Sequence, residues 1–375
     1  MLAGERVRQA RLAAGLSLRA LAERADLSAT AISKYETGKM RPGPGALARI
    51  ADALGLAMEY FSRPVSVALE CPAYRSTATM RVKTRAAVEN EAKEMLERAF
   101  ALDSVFGGRR GPQVRLRPMP VARVEDAEKA ATRLRRDWNL GTDPIANLTE
   151  TLEARGAKVI LVDERPGFDG FSCWANGTVP VVISRKSIPG DRQRFNLAHE
   201  LGHLLLKPDD SVDQEKAAYR FAGAFLIPKE AVLDALGKHR TSISLEELGY
   251  LKHAYGASMQ AWLHRARELG VITQALYVRY RRQFNAMRWR TQEPGRQVLP
   301  ERSSRFPRLL EQALAEKLIT PARAAQLSGR IPRPSMPRPS PEQMREAAEA
   351  ASRLYETDAE LTEPTHLNVE DAIDD

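Results

Sequence analysis

His199-Glu200-Leu201-Gly202-His203 is a His-Glu-x-x-His pentad, in a chain of 375 residues that has six histidines. On a helix, residues i and i+4 lie on the same face, so both imidazoles can reach one metal ion. Glu200 stands between them, where its carboxylate can take a proton from the attacking water. The pentad therefore predicts a zinc site with His199 and His203 as ligands. The alternative is an exposed helix edge that carries two histidines by chance.

The residues around the pentad predict that it lies on a buried helix. An apolar face at helical spacing is formed by Phe195, Leu197, Leu201, Leu204 and Leu205. Pro208 disfavours helical geometry at the residue before it, so the helix is expected to end near Lys207. Two histidines and a glutamate have little reason to stand in a buried helix unless they are paired or bind metal.

A catalytic zinc needs a third protein ligand, and an acid that follows the pentad is expected to supply it. Glu215 comes twelve residues after His203, in the first turn of a predicted helix that ends before Pro228. A carboxylate there can return to the metal, although the positive end of the helix dipole also favours an acid without any metal. The alternative ligands are Asp209, Asp210 and Asp213, which also suit an acidic loop or a helix cap.

Three motifs in this region resemble the ImmA/IrrE metallopeptidases, bacterial and phage zinc proteases that cleave repressor proteins. They are the run 192–206, Glu215-x-x-Ala218-x-x-Phe221-Ala222, and Phe225-Leu226-Ile227-Pro228. The resemblance spans about 125–235 and implies a zincin-like domain with ligands His199, His203 and Glu215, and with Glu200 as general base. Related zinc proteases often carry Asp or Asn four residues after the ligand glutamate, where this chain has Tyr219. The hydrogen bond that orients a zinc-binding histidine is therefore in question.

The segment before the pentad predicts a small domain of mixed α and β structure. Helices are expected over 124–140 and 145–155, and strands over 158–162, 170–174 and 179–184. Asn176-Gly177 is typical of a tight hairpin turn and joins the last two strands. Pro180 predicts that the strand 179–184 lies at an edge of the sheet. Such an edge either pairs with an extended peptide substrate or serves the structure alone.

The first sixty residues carry an independent pattern, a series of short helices that favours a helix-turn-helix domain. Ser17 and Ser28 are suited to cap helices over 18–25 and 29–37, with Asp26-Leu27 as the turn between them. Further helices are expected over 4–14, 44–54 and 57–61. In this motif, the second helix of the pair enters the DNA major groove.

The same segment resembles the Cro/repressor-like (XRE) DNA-binding family. The match rests on Leu21-Ala22-x-x-Ala25-x-Leu27-Ser28-x-x-x-Ile32-Ser33-x-Tyr35-Glu36-x-Gly38. It implies that the third helix, capped by Ser28, presents to base edges Ala29, Thr30, Ser33 and Lys34. Phosphate contacts are implied for Arg19, Lys39 and Arg41. Residues 1–65 hold ten Lys/Arg and six Asp/Glu, which suits double-stranded DNA; the alternative is a small helical partner-binding domain.

Charge and composition bound the rest of the chain. The net charge of +9 is uneven, because residues 275–310 hold nine arginines against two glutamates, and residues 342–375 hold two arginines against eleven acids. The basic segment predicts either a nonspecific nucleic-acid surface or a charged helix that covers the peptidase. The acidic end predicts a solvated tail or a competitor for DNA. Cys71 and Cys173 show no metal or redox spacing, and no apolar run is long enough to span a membrane.

These observations predict a multidomain, mainly α-helical protein with an all-α helix-turn-helix domain and a small α+β, zincin-like peptidase domain. The expected divisions are the helix-turn-helix domain over 1–62, a linker with one helix over 63–120, the zinc peptidase over 121–236, a helical region over 237–330, and a Pro-rich, acidic tail over 331–375 that is expected to be disordered.

The predicted function is that of a cytoplasmic DNA-binding zinc metalloprotease, dimeric as repressor-type domains commonly are. Its amino-terminal domain would place it on an operator. Zn²⁺ and Glu200 would then hydrolyse a peptide bond in a partner such as a repressor or an antitoxin-like protein. The alternative is an XRE-type transcription regulator whose zinc domain senses a ligand or binds a protein without cleaving it.

Overall fold

The structure, a computed structural model, describes residues 2–63, 65–70, 82–107, 116–165 and 167–329. The α-helices are α1 (Leu2–Ala13), α2 (Leu18–Ala25), α3 (Ala29–Glu36), α4 (Pro44–Leu54), α5 (Val82–Val105), α6 (Asp126–Asp137), α7 (Leu148–Ala154), α8 (Gly190–Leu205), α9 (Gln214–Leu226), α10 (Lys229–Leu236), α11 (Leu245–Tyr255), α12 (Met259–Glu268), α13 (Gln274–Ala286), α14 (Arg305–Ala315) and α15 (Pro321–Ser328). The strands are β1 (Leu69–Glu70), β2 (Met119–Val121), β3 (Lys158–Val162), β4 (Gly170–Ala175), β5 (Val179–Arg185) and β6 (Leu206–Pro208), and Met58–Ser62 is a 3₁₀-helix. The predicted fold class, multidomain and mainly α with a small mixed sheet, is confirmed.

The predicted tail over 331–375 and Cys71 lie outside the described residues. Cys173 is a buried free thiol in β4. Among the described helices, none is long and apolar enough to cross a membrane. The division of the chain into domains stays a prediction.

The larger sheet has the strand order β1-β4-β5-β3. β4 and β5 form the predicted hairpin, and Asn176 and Gly177 in its turn have φ of 51° and 68°, as a tight hairpin turn requires. β5 pairs with β4 on one side and with β3 on the other, so the prediction of an edge strand over 179–184 is wrong. The ladder with β3 begins at Val181, so Pro180 lies before it and its missing N–H leaves no gap there. A peptide substrate therefore cannot pair with β5.

The amino-terminal helices form a helix-turn-helix bundle. α2 and α3 meet at Asp26, whose φ is 50°, and the hydroxyls of Ser17 and Ser28 cap the two helices by accepting backbone N–H groups at 3.1 Å. The core beneath them is closed by Val7, Leu21, Ile32, Ile50 and Phe61. This packing leaves the outer face of α3 available to a partner.

α5 joins this bundle to the sheet. α1 packs against α5, and the buried guanidinium of Arg6 pairs with Glu97 at 2.5 Å. A row of apolar α5 residues packs on the sheet, namely Val88, Ala92 and Leu96. Arg165, in the loop between β3 and β4, donates to the carbonyl of Ala13 at 3.1 Å and to Glu91 at 2.8 Å. The helix-turn-helix bundle is thus packed on the same helix as the sheet that supports the pentad.

α8 carries the pentad and packs closely on α9. A Cβ atom at Gly202 would lie 3.1 Å from the Phe221 ring and 3.3 Å from the Cα of Ala218, which is tighter than ordinary contact. Glycine at this position therefore lets the two helices approach. The approach brings the first turn of α9 beside the histidines of α8.

The basic segment 275–310 consists of α13, an irregular stretch over residues 287–304, here called the strap, and the start of α14. Glu301 anchors the strap, because its carboxylate pairs with the buried guanidinium of Arg194 on α8 and accepts N–H groups from the start of α7. The side chains of Tyr280 and Phe284 in α13 join the hydrophobic core that surrounds α8 and α9. The segment therefore packs on the hydrophobic core around α8 and α9.

Candidate metal centre

α8 and α9 bring three metal-ligand side chains together. The Nε2 atoms of His199 and His203 lie 3.1 Å apart, and the carboxylate of Glu215 lies 3.4 Å from the first and 3.2 Å from the second. Among the described residues, these three are the His, Cys, Asp or Glu side chains whose ligand atoms lie close enough together to share one metal ion. The three residues that the sequence predicted as metal ligands are therefore close together in the structure.

The other three acids that the sequence offered as a third metal ligand lie outside the cluster. Asp213 caps α9, because its carboxylate accepts the backbone N–H of Lys216 at 3.1 Å. Asp209 and Asp210 lie in the exposed turn before α9 and do not belong to the cluster. Of the four acids after the pentad, Glu215 is the one placed beside the histidines.

The distances within the cluster fit a zinc ion. Two ligand atoms that each lie about 2.0–2.1 Å from a tetrahedral zinc are roughly 3.3–3.4 Å apart. The triangle of 3.1, 3.2 and 3.4 Å is close to that value. Two imidazoles and one carboxylate also form a donor set of catalytic zinc sites, in which the fourth position stays open.

Glu200 lies beside this triangle and is 8% exposed. The hydroxyl of Ser172 donates to its Oε2 at 2.9 Å. Burial raises the pKa of Glu200 above its ordinary value, although the imidazoles of His203 and His199 and the bond from Ser172 oppose the shift. A carboxylate with a raised pKa is suited to accept a proton and to release it again.

Sequence reasoning missed Ser172. Its neighbours in β4, Phe171 and Cys173, belong to the apolar cluster on the α5 side of the sheet. The side chain of Ser172 lies on the opposite face of β4, which packs against α8. A single hydroxyl on that face is the only feature of the sequence that could have indicated a role for Ser172. The bond to Glu200 joins residues 28 positions apart, and no local pattern predicts it.

The charges in the cluster favour a cation. Hydrogen bonds from His199 and His203 lower the pKa of Glu215 well below its usual range. Burial lowers the pKa of His203, but the bond to Glu215 and the charges of Glu200 and Glu215 outweigh it and leave the pKa raised. The carboxylates thus stabilise positive charge at this point, whether a proton or a metal ion carries it.

The Tyr219 ring packs against the His199 imidazole with an angle of 50° between the ring planes. The two ring centroids are 4.4 Å apart, and the Tyr219 ring also lies 5.9 Å from that of Phe195. Nδ1 of His199 is buried and has no hydrogen-bond partner among the described residues. Tyr219, which stands where related zinc proteases often carry Asp or Asn, therefore does not supply the orienting hydrogen bond, and its ring contacts the imidazole instead.

The cluster opens into a cleft of about 990 Å³, at the upper end of the range for small-ligand sites. α8, α9 and the loop before β4 line part of the cleft, with Phe195, Tyr219 and Asp169 among their side chains. Other parts of the lining come from α12, α13 and the strap. Arg192 bonds both carboxylate oxygens of Asp169 at 3.0 and 3.1 Å. The lining combines charged and polar side chains with the aromatic rings of Phe195, Tyr219 and Tyr277.

The residues that the sequence assigned to DNA lie on α3 and around it. Thr30 and Lys34 are exposed, while Ala29 and Ser33 are half-buried. The exposed cations beside them are Arg19, Lys39 and Arg41. By contrast, Arg11 is used inside the bundle, where its guanidinium bonds both oxygens of Glu36 at 2.6 and 2.7 Å.

Two family models match the chain. Residues 7–61 match a model described as helix-turn-helix, and residues 169–267 match the peptidase M78 model, described as IrrE N-terminal-like domain. A search of curated proteins gives no match. The two matches fall on the bundle of α1–α4 and on the cleft with its histidines, in the order that the sequence motifs predicted. The chain therefore joins a helix-turn-helix domain of the XRE type to a domain of the ImmA/IrrE type.

Proposed function

We propose that this chain is a DNA-binding zinc metalloprotease that cleaves a protein partner, such as a repressor or an antitoxin-like protein. The observation that carries the proposal is the triangle of His199, His203 and Glu215 with the buried carboxylate of Glu200 beside it. A structural zinc site has four protein ligands and needs no base. Three ligands with an adjacent carboxylate instead suit hydrolysis.

In this proposal, His199, His203 and Glu215 hold the ion. Zinc, when bound, supplies a Lewis acid that polarises the peptide carbonyl and lowers the pKa of water. Glu200 accepts the proton of the attacking water and delivers it to the leaving nitrogen. The hydroxyl of Ser172 donates a hydrogen bond to Oε2 of that carboxylate, so Oε1 is the oxygen proposed to accept the proton of the water.

The helix-turn-helix match supports double-stranded DNA as the second partner. In this motif, the second helix of the pair lies in the major groove, which assigns α3 to that position. The residues proposed at base edges are Ala29, Thr30, Ser33 and Lys34, after the cap Ser28. The residues proposed at phosphates, where they fix position rather than sequence, are Arg19, Lys39 and Arg41.

Metal removal tests the protease proposal. The purified chain is stripped with a chelator and then given one equivalent of Zn²⁺, an equal amount of Mg²⁺, or nothing. Each sample is incubated with candidate repressors from the same genome, and fragments are identified by mass spectrometry. We expect cleavage with Zn²⁺ alone, because Mg²⁺ prefers oxygen ligands and octahedral geometry over imidazoles. Full zinc occupancy without cleavage of any candidate would count against the protease.

A second set of variants tests the DNA contacts. Replacing Lys39 or Arg41 by Ala is expected to weaken binding to DNA from upstream of the chain's own gene. Each lost phosphate contact should reduce the slope of log K against log salt concentration by about 0.9, as measured by fluorescence anisotropy at several salt concentrations. Lys129→Ala is the matched control, because it removes the same charge from the exposed surface of α6. Slopes that stay at the wild-type value would refute these contacts.

A transcription regulator that does not cleave is the second candidate. The observation in its favour is the buried Nδ1 of His199, which has no partner among the described residues. Metal-binding histidines almost always donate this second N–H to a carboxylate, a carbonyl or water. In that case the zinc domain would sense a ligand or bind a protein, and regulation would survive the loss of Glu200.

A further inference from the structure

The far wall of the cleft carries two arginines that the proposed chemistry does not use. Tyr277, Arg281 and Asn285 follow one another at intervals of four residues, so they lie on one face of α13, and all three line the cleft. The neighbouring face of α13 is fixed in the core, where Tyr280 donates to the carbonyl of Ile243 at 2.8 Å. Arg281 is therefore presented to the cleft from an anchored helix.

The second arginine, Arg290, lines the cleft from the strap. The strap is held there by Glu293, which is buried and bonds the ammonium of Lys252 at 3.0 Å. The same ammonium pairs with Asp191 at the start of α8 at 3.1 Å. Gln260 on α12 donates to the carbonyl of Trp289 at 3.3 Å, directly before Arg290. The backbone that carries Arg290 is thus tied to α8, α11 and α12.

The other charged residues of the lining have partners. Arg192 bonds Asp169, and Glu293 and Asp191 share Lys252. Arg265 is buried and pairs with Glu128 and Glu268. Glu215 faces the two histidines, and Glu200 accepts the bond from Ser172. Arg281 and Arg290 are exposed, and among the described residues no side chain forms an ion pair with either guanidinium.

We propose that Arg281 and Arg290 select an acidic peptide segment, by binding Asp or Glu side chains of the protein whose backbone enters the cleft. This inference rests on the proposed protease function and names its substrate class. Guanidinium groups bind carboxylates through paired hydrogen bonds, and unpaired charges on one wall of a cleft favour the complementary sequence. Exposed guanidinium groups also bind phosphates, so a nucleic acid is the competing ligand that the test has to distinguish from an acidic peptide.

The test measures binding separately from cleavage. The zinc-loaded full chain with Glu200→Gln is titrated into fluorescein-labelled dodecapeptides that share an Ala/Leu/Ser framework and carry Glu, Gln or Lys at four positions. We expect the Glu peptide to bind about tenfold more tightly than the Gln peptide, and the Lys peptide to bind most weakly. The preference should shrink with added salt, because the arginines are exposed.

Reversing the charge of Arg281 and Arg290 tests whether these two residues cause the preference for the Glu peptide. Arg281→Glu and Arg290→Glu, combined in one variant, should weaken binding of the Glu peptide at least tenfold and strengthen binding of the Lys peptide. A variant that combines Arg279→Glu and Arg282→Glu is the matched control, because both arginines are exposed on α13 and do not line the cleft. It should change either affinity less than twofold.

The acidic segment has two sources, a separate protein or residues 342–375 of this chain, which hold eleven acids. A full-length variant with those acids changed to amides separates them. Tighter binding of the Glu peptide by this variant would identify the chain's own segment as a competitor, and unchanged binding would leave a separate protein as the source. Both results support selection of acidic peptides.

Equal binding of the Glu and Gln peptides, or binding of neither, would overturn the inference whatever the cleavage assays give. Displacement of the peptide by a random DNA duplex, with the same dependence on Arg281 and Arg290, would overturn it in favour of nucleic acid. If the Glu preference holds but zinc-loaded wild type cleaves nothing, the protease proposal fails and the peptide site stands. The two failures are thus distinguishable.

Discussion

Replacing Glu200 by Gln is expected to lower kcat/KM for cleavage of a protein substrate by about 10²–10⁴-fold, which is the contribution of a positioned general base. Gln keeps the shape of the side chain and can still accept the bond from Ser172, but it cannot take up the proton of the attacking water. The metal ligands are untouched, so zinc content should stay at one ion per chain. The measurements are steady-state cleavage and metal content of the same preparation.

Ser172→Ala is expected to reduce cleavage less than Glu200→Gln does. The hydroxyl positions Glu200 and does not touch the metal ligands, so kcat should fall less than in Glu200→Gln while KM stays near the wild-type value. A change in the pH profile of kcat should accompany it, since the bond from Ser172 is one of the influences that lower the pKa of Glu200. Cleavage by Glu200→Gln at the wild-type rate would remove the role assigned to that carboxylate.

Loss of zinc is the expected result of replacing His203 or Glu215 by Ala. Each supplies one of three ligand atoms, so affinity should fall by more than the 10–100-fold that is typical of losing a partner outside the metal shell. Zinc bound per chain, measured at a fixed concentration of a competing chelator, should drop from one to near zero. Cleavage should be lost in parallel.

Asp213→Ala provides the control for Glu215→Ala. Asp213 is also an acid at the start of α9, but it caps the helix and lies outside the cluster. Its loss should lower the stability of the helix slightly, as for other helix caps, and should leave zinc bound. Zinc retained by Glu215→Ala and lost by Asp213→Ala would reverse the assignment of the third ligand.

The helical elements and the pentad were predictable because their signals are local. Helical periodicity, capping by Ser17 and Ser28, and the turn at Asn176-Gly177 depend on residues close together in sequence, and the structure confirms them. The edge position predicted from Pro180 was wrong, because a proline that lies just outside a ladder is compatible with a central strand.

The rest of the site depends on contacts between distant parts of the chain. Ser172 reaches Glu200 from a neighbouring strand, and Arg281 reaches the cleft from a helix more than seventy residues beyond the pentad. Strand β6 begins directly after Leu205, where the sequence predicted only the end of a helix, and it pairs in parallel with β2. None of these features has a periodic pattern, so a single sequence does not reveal them.

The packing of α1 on α5, with Arg6 buried against Glu97, has a consequence for how the enzyme would meet its substrate. α5 also supports the sheet beside the cleft, so α3 and the cleft belong to the same compact unit. On the proposed function, a repressor bound at a neighbouring position on the same DNA encounters the cleft in an intramolecular reaction. Its effective concentration is then on the order of millimolar, set by geometry and not by the number of copies in the cell. On the proposed function, weak recognition of the cleaved segment would be sufficient under these conditions.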